Sequence, residues 1–228
     1  MQALTAFESR AVLMRAAAER MADIIKIAIA ARGEACLALS GGSTPEPAYL
    51  ALAAMPLDWS KVTLALVDER FVPPSDEASN ERMITRAFAS AIDAGAHFKP
   101  LYSPAPTLSE AAERADALYA TLQIDLAIMG MGADAHTASW FPGVAAQVLD
   151  LKSARTVAAV HAPGAAGTPQ RLTLTRAAYN RIGRALLLIT GADKHRRLQA
   201  ALTETIERAP VAALFAQDAP KLEILWTP

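Results

Sequence analysis

A chain of 228 residues, 53% hydrophobic and 20% charged, has enough length for an α/β domain with a real core and is too apolar to be disordered. With a formal net charge of −1 and no basic cluster it offers no nucleic-acid surface, whereas a small anionic ligand needs only two or three cations at one place. Its one cysteine, Cys36, excludes an internal disulfide framework and fits a reducing compartment.

Glu8–Arg32 is alanine-rich with interspersed charges and predicts an amphipathic helix. Glu8, Glu19 and Asp23 argue against a transit peptide, and Met1 to Phe7 lacks the basic-then-apolar order of a signal peptide. No apolar stretch approaches the roughly 20 residues that span a bilayer, so a cytoplasmic protein without membrane contact is expected. Short apolar runs then alternate with helical patterns. Strands are expected at Ala35–Leu39, Val62–Val67, Leu126–Met129, Thr156–Val160, Arg171–Leu174, Ala185–Ile189 and Leu222–Trp226. Helices are expected at Pro45–Ala53, Asn80–Phe88, Leu108–Leu122, Arg176–Ile182, Ala192–Thr203 and Val211–Phe215, and loops at Phe71–Ser79 and His161–Gln170. This order predicts an α/β fold with a mainly parallel sheet covered by helices on both faces. Cys36 falls inside the first strand and reads as a core thiol.

In such sheets ligands bind beyond the carboxyl ends of the strands. After the first strand comes Ser40-Gly41-Gly42-Ser43-Thr44-Pro45, which reads either as a phosphate cradle or as a tight turn with Thr44 as helix cap. After the second comes Asp68-Glu69-Arg70, at the sheet's edge or in a solvated loop; Ser79-Asn80 follows, with Asn80 as a cap. After Leu126–Met129 comes Gly130-Met131-Gly132-Ala133-Asp134-Ala135-His136-Thr137-Ala138-Ser139. A carboxylate two residues before a histidine can orient its imidazole, and the imidazole can take a proton from water. Arg171 and Lys194 are further candidate cations. Lys194 lies in the first turn of its helix, where the dipole disfavours a cation unless an anion is bound.

Other chemistries fit less well. Gly130–Ala135 matches a dinucleotide fingerprint, but Pro142-Gly143 interrupts the helix that fingerprint needs. Ser40 lacks the G-x-S-x-G setting of a serine hydrolase nucleophile. The histidines His97, His136, His161 and His195 include no pair at metal-ligand spacing on a helix. A non-catalytic sugar-phosphate binder would keep the cradle, Arg171 and Lys194 but has no need of Asp134 and His136.

Together, and in this order, Leu39–Pro45, Asp68–Arg70, Ser79-Asn80, Gly130–Asp134 with His136–Ser139, Phe141–Gly143, Arg171–Thr173 and Lys194 resemble the 6-phosphogluconolactonase family. The resemblance implies one domain over 1–228 with the fold of glucosamine-6-phosphate deaminase, a Rossmann-like, mainly parallel sheet flanked by helices with a small subdomain. It implies hydrolysis of 6-phospho-D-glucono-1,5-lactone to 6-phosphogluconate, with no cofactor, no metal and a small-molecule substrate as partner; a monomer is favoured. It further implies His136 as general base oriented by Asp134. The phosphate would lie against Ser40, Gly41, Gly42, Ser43 and Thr44, with Arg171 and Lys194 as counter-charges and Asp68 and Arg70 on the sugar side. The deaminases share the cradle and histidine but carry a glutamate five residues after it, where this chain has Phe141. Two positions depart from the family pattern: Ala135 replaces a frequent glycine, which matters if φ is positive there, and Trp140 replaces a leucine, expected to pack beside the site.

Overall fold

The computed structural model describes residues 4–144 and 146–228, so the reading of Met1 to Phe7 falls partly on residues outside it. In chain order the elements are β1 (Leu4–Ala6), α1 (Arg10–Arg32), β2 (Ala35–Leu39), α2 (Glu46–Ala53), β3 (Val62–Leu66), β4 (Asp68–Arg70), α3 (Asn80–Ala87), α4 (Ala89–Asp93) and β5 (His97–Phe98). Then come α5 (Leu108–Tyr119), β6 (Leu126–Met129), α6 (Ala146–Leu149), β7 (Val157–His161), β8 (Gln170–Leu174), α7 (Arg176–Tyr179), β9 (Arg184–Thr190), α8 (Ala192–Ala201) and β10 (Lys221–Thr227). The segment expected as a helix at Val211–Phe215 is a 3₁₀ helix, Pro210–Phe215.

Seven strands form one sheet in the order β1-β10-β9-β6-β2-β3-β5, with every pairing parallel. β2 and β6 are buried along their whole length, as strands covered on both faces must be. α1 starts where the Ser9 hydroxyl accepts from the Val12 amide and stops where Gly33 turns left-handed at φ 87°. No helix among the described residues is long and apolar enough to cross a membrane.

Two expectations need correction. Thr156–Val160 and Arg171–Leu174 do not join the parallel sheet; as β7 and β8 they form an antiparallel hairpin, and β4 pairs with β8 to complete a second, three-stranded sheet. Asp68-Glu69-Arg70 is therefore a strand rather than the start of a loop. Val67 joins the two sheets. Its N–H bonds the Leu39 carbonyl of β2 at 3.0 Å and its carbonyl accepts from Leu174 of β8 at 2.9 Å.

The parallel sheet reverses its winding between β2 and β6. The chain runs outward from β2 to β3 and β5, then returns to β6 and continues through β9 to β10 on the other side. The connections leaving β2 and β6 diverge there and leave a crevice at the strands' carboxyl ends. The small sheet forms the crevice's far wall.

Candidate active site

A cavity of about 280 Å³ occupies this crevice. It is lined by Ser40, Gly41, Gly42, Thr44, Asp68, Arg70, His136, Arg171 and Lys194, which lie far apart in the chain and meet because each follows a strand end or faces in from the small sheet. Ser43 is the exception. It is exposed, does not line the cavity, and its carbonyl accepts from Arg10 Nη2 at 2.5 Å.

The turn after β2 runs close beneath α3. A Cβ on Gly41 would lie 1.8 Å from Asn80 Oδ1, so no side chain fits there while Asn80 holds its place. Thr44 does not cap α2, which starts after Pro45 without a side-chain cap bond. Nor does Asn80 cap α3: the Ser79 hydroxyl accepts from the Arg82 amide and is the cap. Asn80 instead lines the cavity, donating from Nδ2 to the Asp68 carbonyl at 2.9 Å. Ser79 satisfies the cap pattern as well as Asn80 does, and with Ser79 in that role the Asn80 side chain is free for the site.

In β4 the side chains alternate, so Asp68 and Arg70 face the cavity while Glu69 turns away from it. Asp68 accepts from Ser139 Oγ at 2.6 Å. Arg70 stands directly opposite Arg171 in the β4–β8 register. Like charges so placed repel, and a bound anion would relieve that repulsion. Burial, followed by the facing Arg70, pushes the Arg171 pKa below its ordinary value. Arg171 donates from Nε to the Thr168 carbonyl at 2.9 Å and from Nη2 to the Ala166 carbonyl at 2.5 Å. Glu69 is fully buried, and burial pushes its carboxyl up to about 7 against the pull of three backbone N–H donors.

After β6 the chain folds into a compact loop rather than a helix, which removes the dinucleotide reading. The Gly132 amide donates to the His136 carbonyl at 2.9 Å, Thr137 Oγ1 to the Gly130 carbonyl at 2.8 Å, and the Val211 amide to the Ala135 carbonyl at 3.0 Å. Lys194, on α8, donates to the Met131 carbonyl; burial lowers its ammonium pKa, with Asp134 opposing.

His136 Nδ1 lies 2.6 Å from Asp134 Oδ1, and the His136 amide donates to the same oxygen at 3.1 Å. Burial opposes ionisation of Asp134, but the amide and imidazole of His136 outweigh it and hold the carboxyl below its usual range. An ionised carboxylate only accepts, so Nδ1 carries the proton and Nε2 is left as the basic nitrogen. Phe141 packs on the imidazole with ring centroids 4.6 Å apart, and its ring lies 5.8 Å from the Arg171 guanidinium carbon. The Trp140 indole is fully buried and donates to the Leu174 carbonyl at 2.7 Å, beside the cavity rather than in it.

Ala135 does have positive φ, 68°. That conformation costs an alanine roughly 1–2 kcal/mol. A glycine would forfeit a buried methyl worth about 0.8 kcal/mol and would gain unfolded-state entropy worth about 0.4–1 kcal/mol. The terms nearly cancel. Ala135→Gly is expected to change unfolding free energy by less than about 1 kcal/mol in urea titration; a shift beyond about 2 kcal/mol would mean that the loop relaxes around the substitution.

Among the described residues, Asp68 is the one acidic side chain lining a cavity that also presents Arg70, Arg171, Lys194 and His136. No group of three or more metal-ligating side chains occurs among them. A positively charged crevice with an oriented imidazole suits attack by water on an anionic substrate.

Residues 8–226 match the family described as glucosamine-6-phosphate isomerases/6-phosphogluconolactonase. The chain is 41% identical over 227 residues to the 6-phosphogluconolactonase of Rhizobium meliloti, covering 97% of each chain. It is 39% identical over 226 residues to that of Caulobacter vibrioides, covering 98% of this chain and 96% of the relative. Among solved structures, a 6-phosphogluconolactonase from Shewanella baltica superposes with a TM-score of 0.94 at 28% identity, over 100% of this chain and 98% of that one.

Proposed function

Because the chain belongs to the glucosamine-6-phosphate isomerase/6-phosphogluconolactonase family, we propose that its cavity hydrolyses 6-phospho-D-glucono-1,5-lactone to 6-phosphogluconate, a step of the oxidative pentose phosphate pathway. The observation that carries this reading is the His136–Asp134 pair on the wall of a cationic crevice.

His136 Nε2 takes a proton from a water whose oxygen bonds to C1 of the lactone. The charge that develops on the carbonyl oxygen is met by N–H donors of the cavity wall, with the Arg70 guanidinium within the same crevice. The C1–ring oxygen bond then breaks, the imidazolium returns its proton to that oxygen, and the new carboxylic acid loses its own proton to solvent. The Nδ1–H to Asp134 bond keeps the ring in the tautomer and orientation this needs. The phosphate lies against Ser40, Gly41, Gly42 and Thr44 with Lys194 and Arg171 as counter-charges, so that binding far from C1 places C1 beside the water. Asp68, held by Ser139, and Arg70 face the sugar hydroxyls. The enzyme works in the cytoplasm on a freely diffusing substrate.

Deaminase chemistry is disfavoured because the position five residues after His136 is Phe141, packed against the imidazole, rather than a carboxylate. Glucosamine 6-phosphate is therefore expected to yield no ammonia; rapid ammonia release with only background loss of lactone would reverse the assignment.

Lys194→Ala is expected to raise KM for the lactone at least about ten-fold while kcat stays within about three-fold, as for a group that grips ground state and transition state alike. Steady-state kinetics on the pure variant separate this from a large fall in kcat at unchanged KM, which would place Lys194 in the chemical step.

A further inference from the structure

Glu69 lies between two cavity-lining residues yet takes no part in the chemistry above. Its carboxylate is fully buried, and all four of its hydrogen-bond partners are neutral donors. Oε1 accepts from the Arg70 amide at 2.6 Å and the Asn80 amide at 2.8 Å. Oε2 accepts from the Glu81 amide at 2.7 Å and Ser79 Oγ at 3.1 Å.

Burying a charge is costly even when it is hydrogen-bonded. Ser79 meets only one of the free N-terminal amides of α3, that of Arg82, and Glu69 meets two more, those of Asn80 and Glu81, so its carboxylate is itself part of the helix cap. It does more than cap: because it is carried on β4, it also ties the first turn of α3 to that strand. The residue it pulls in is Asn80, whose side chain bonds the Asp68 carbonyl and abuts Gly41 with no room for a Cβ between them.

We propose that Glu69 is a positioning residue of this site, holding Asn80 against the Ser40–Gly42 turn and Arg70 at the cavity wall so that the anion-binding surface is preformed. The inference rests on the proposed lactone-binding role of the cavity. Its logic is that of preorganisation: a surface assembled before the ligand arrives is not assembled at the expense of binding. A glutamine at this position keeps the shape but turns one acceptor into an N–H donor facing N–H donors.

The test compares wild type, Glu69→Gln, Asn80→Ala and, as a structural control, Thr107→Ala by lactone kinetics and by calorimetric binding of 6-phosphogluconate. Glu69→Gln is expected to raise KM and the product Kd roughly ten-fold with kcat within about three-fold, less than the hundredfold that a 1 Å misplacement of reacting groups costs. Asn80→Ala should do the same, and the double variant should be no worse than either alone. Thr107→Ala, which removes the cap of α5 at a residue that does not line the cavity, should lower Tm without moving KM, because a purely structural loss removes active molecules rather than affinity. A folded Glu69→Gln with wild-type KM and Kd would overturn the proposal. If Glu69→Gln does not fold, an unchanged KM in Asn80→Ala overturns it instead. Inactive wild type that still binds product would sink the lactonase reading alone, and the Kd comparison would still decide the role of Glu69.

Discussion

Replacing His136 with alanine is expected to lower kcat and kcat/KM together by at least about two orders of magnitude, the usual worth of a positioned general base. The expectation follows from the geometry. Asp134, kept ionised by His136, fixes the proton on Nδ1 and leaves Nε2 free on a ring that lines the cavity. KM should change little, because the cations proposed to grip the substrate sit on β4, β8 and α8 and do not depend on the imidazole. Steady-state kinetics on the purified variant test this. Turnover close to wild type would mean that another group activates the water.

Gly132→Ala should be nearly as damaging without removing any catalytic atom. A Cβ at this position would lie 2.1 Å from His136 Nδ1, 2.2 Å from its Cε1 and 2.7 Å from Asp134 Oδ1. Real contacts are never so short, so the imidazole and its carboxylate must move. A displacement of about 1 Å at the reacting group costs roughly a hundredfold in rate. Gly132 sits on a loop rather than in the core, and its amide bond to the His136 carbonyl survives the substitution. The variant is therefore expected to fold, with a circular dichroism spectrum like wild type, and to lose about two orders of magnitude in kcat. Near-normal turnover would show that the loop re-seats the ring and that the resting geometry is not the working one.

What could be read from the chain follows from how local each signal is. β2, β6 and the central part of β9 are unbroken apolar runs, and such runs declare themselves. β1, β4 and β5 are three, three and two residues long, too short for any periodicity, and β4 is wholly charged. β4 is a strand only because β8, about a hundred residues later, pairs with it. The same long-range pairing placed Thr156–Val160 and Arg171–Leu174 in the small sheet rather than the parallel one, a distinction that apolarity cannot make.

The candidate site was more legible than the small sheet, because residues that follow buried strands converge whatever the details of the fold. Ser40, Gly41, Gly42, Thr44, Asp68, Arg70, His136 and Lys194 reach the cavity for that reason, whereas Arg171 faces in from β8 of the small sheet. Ser43 does not: it is exposed to solvent, and its backbone carbonyl accepts from Arg10. The lining role of Asn80 was hidden by its suitability as a cap, and that of Phe141 by its reading as a mere absence of glutamate. The positive φ of Ala135 and the tight seat of the imidazole over Gly132 are three-dimensional facts that a string of letters raises only as questions.

The most direct measurement of the central claim is the initial rate at which the wild-type protein consumes freshly generated 6-phospho-D-glucono-1,5-lactone, with EDTA present and spontaneous hydrolysis subtracted. The account predicts hydrolysis far above background, saturating with substrate, and 6-phosphogluconate as the product. Loss of lactone at the spontaneous rate, with a folded protein in the cuvette, would contradict it.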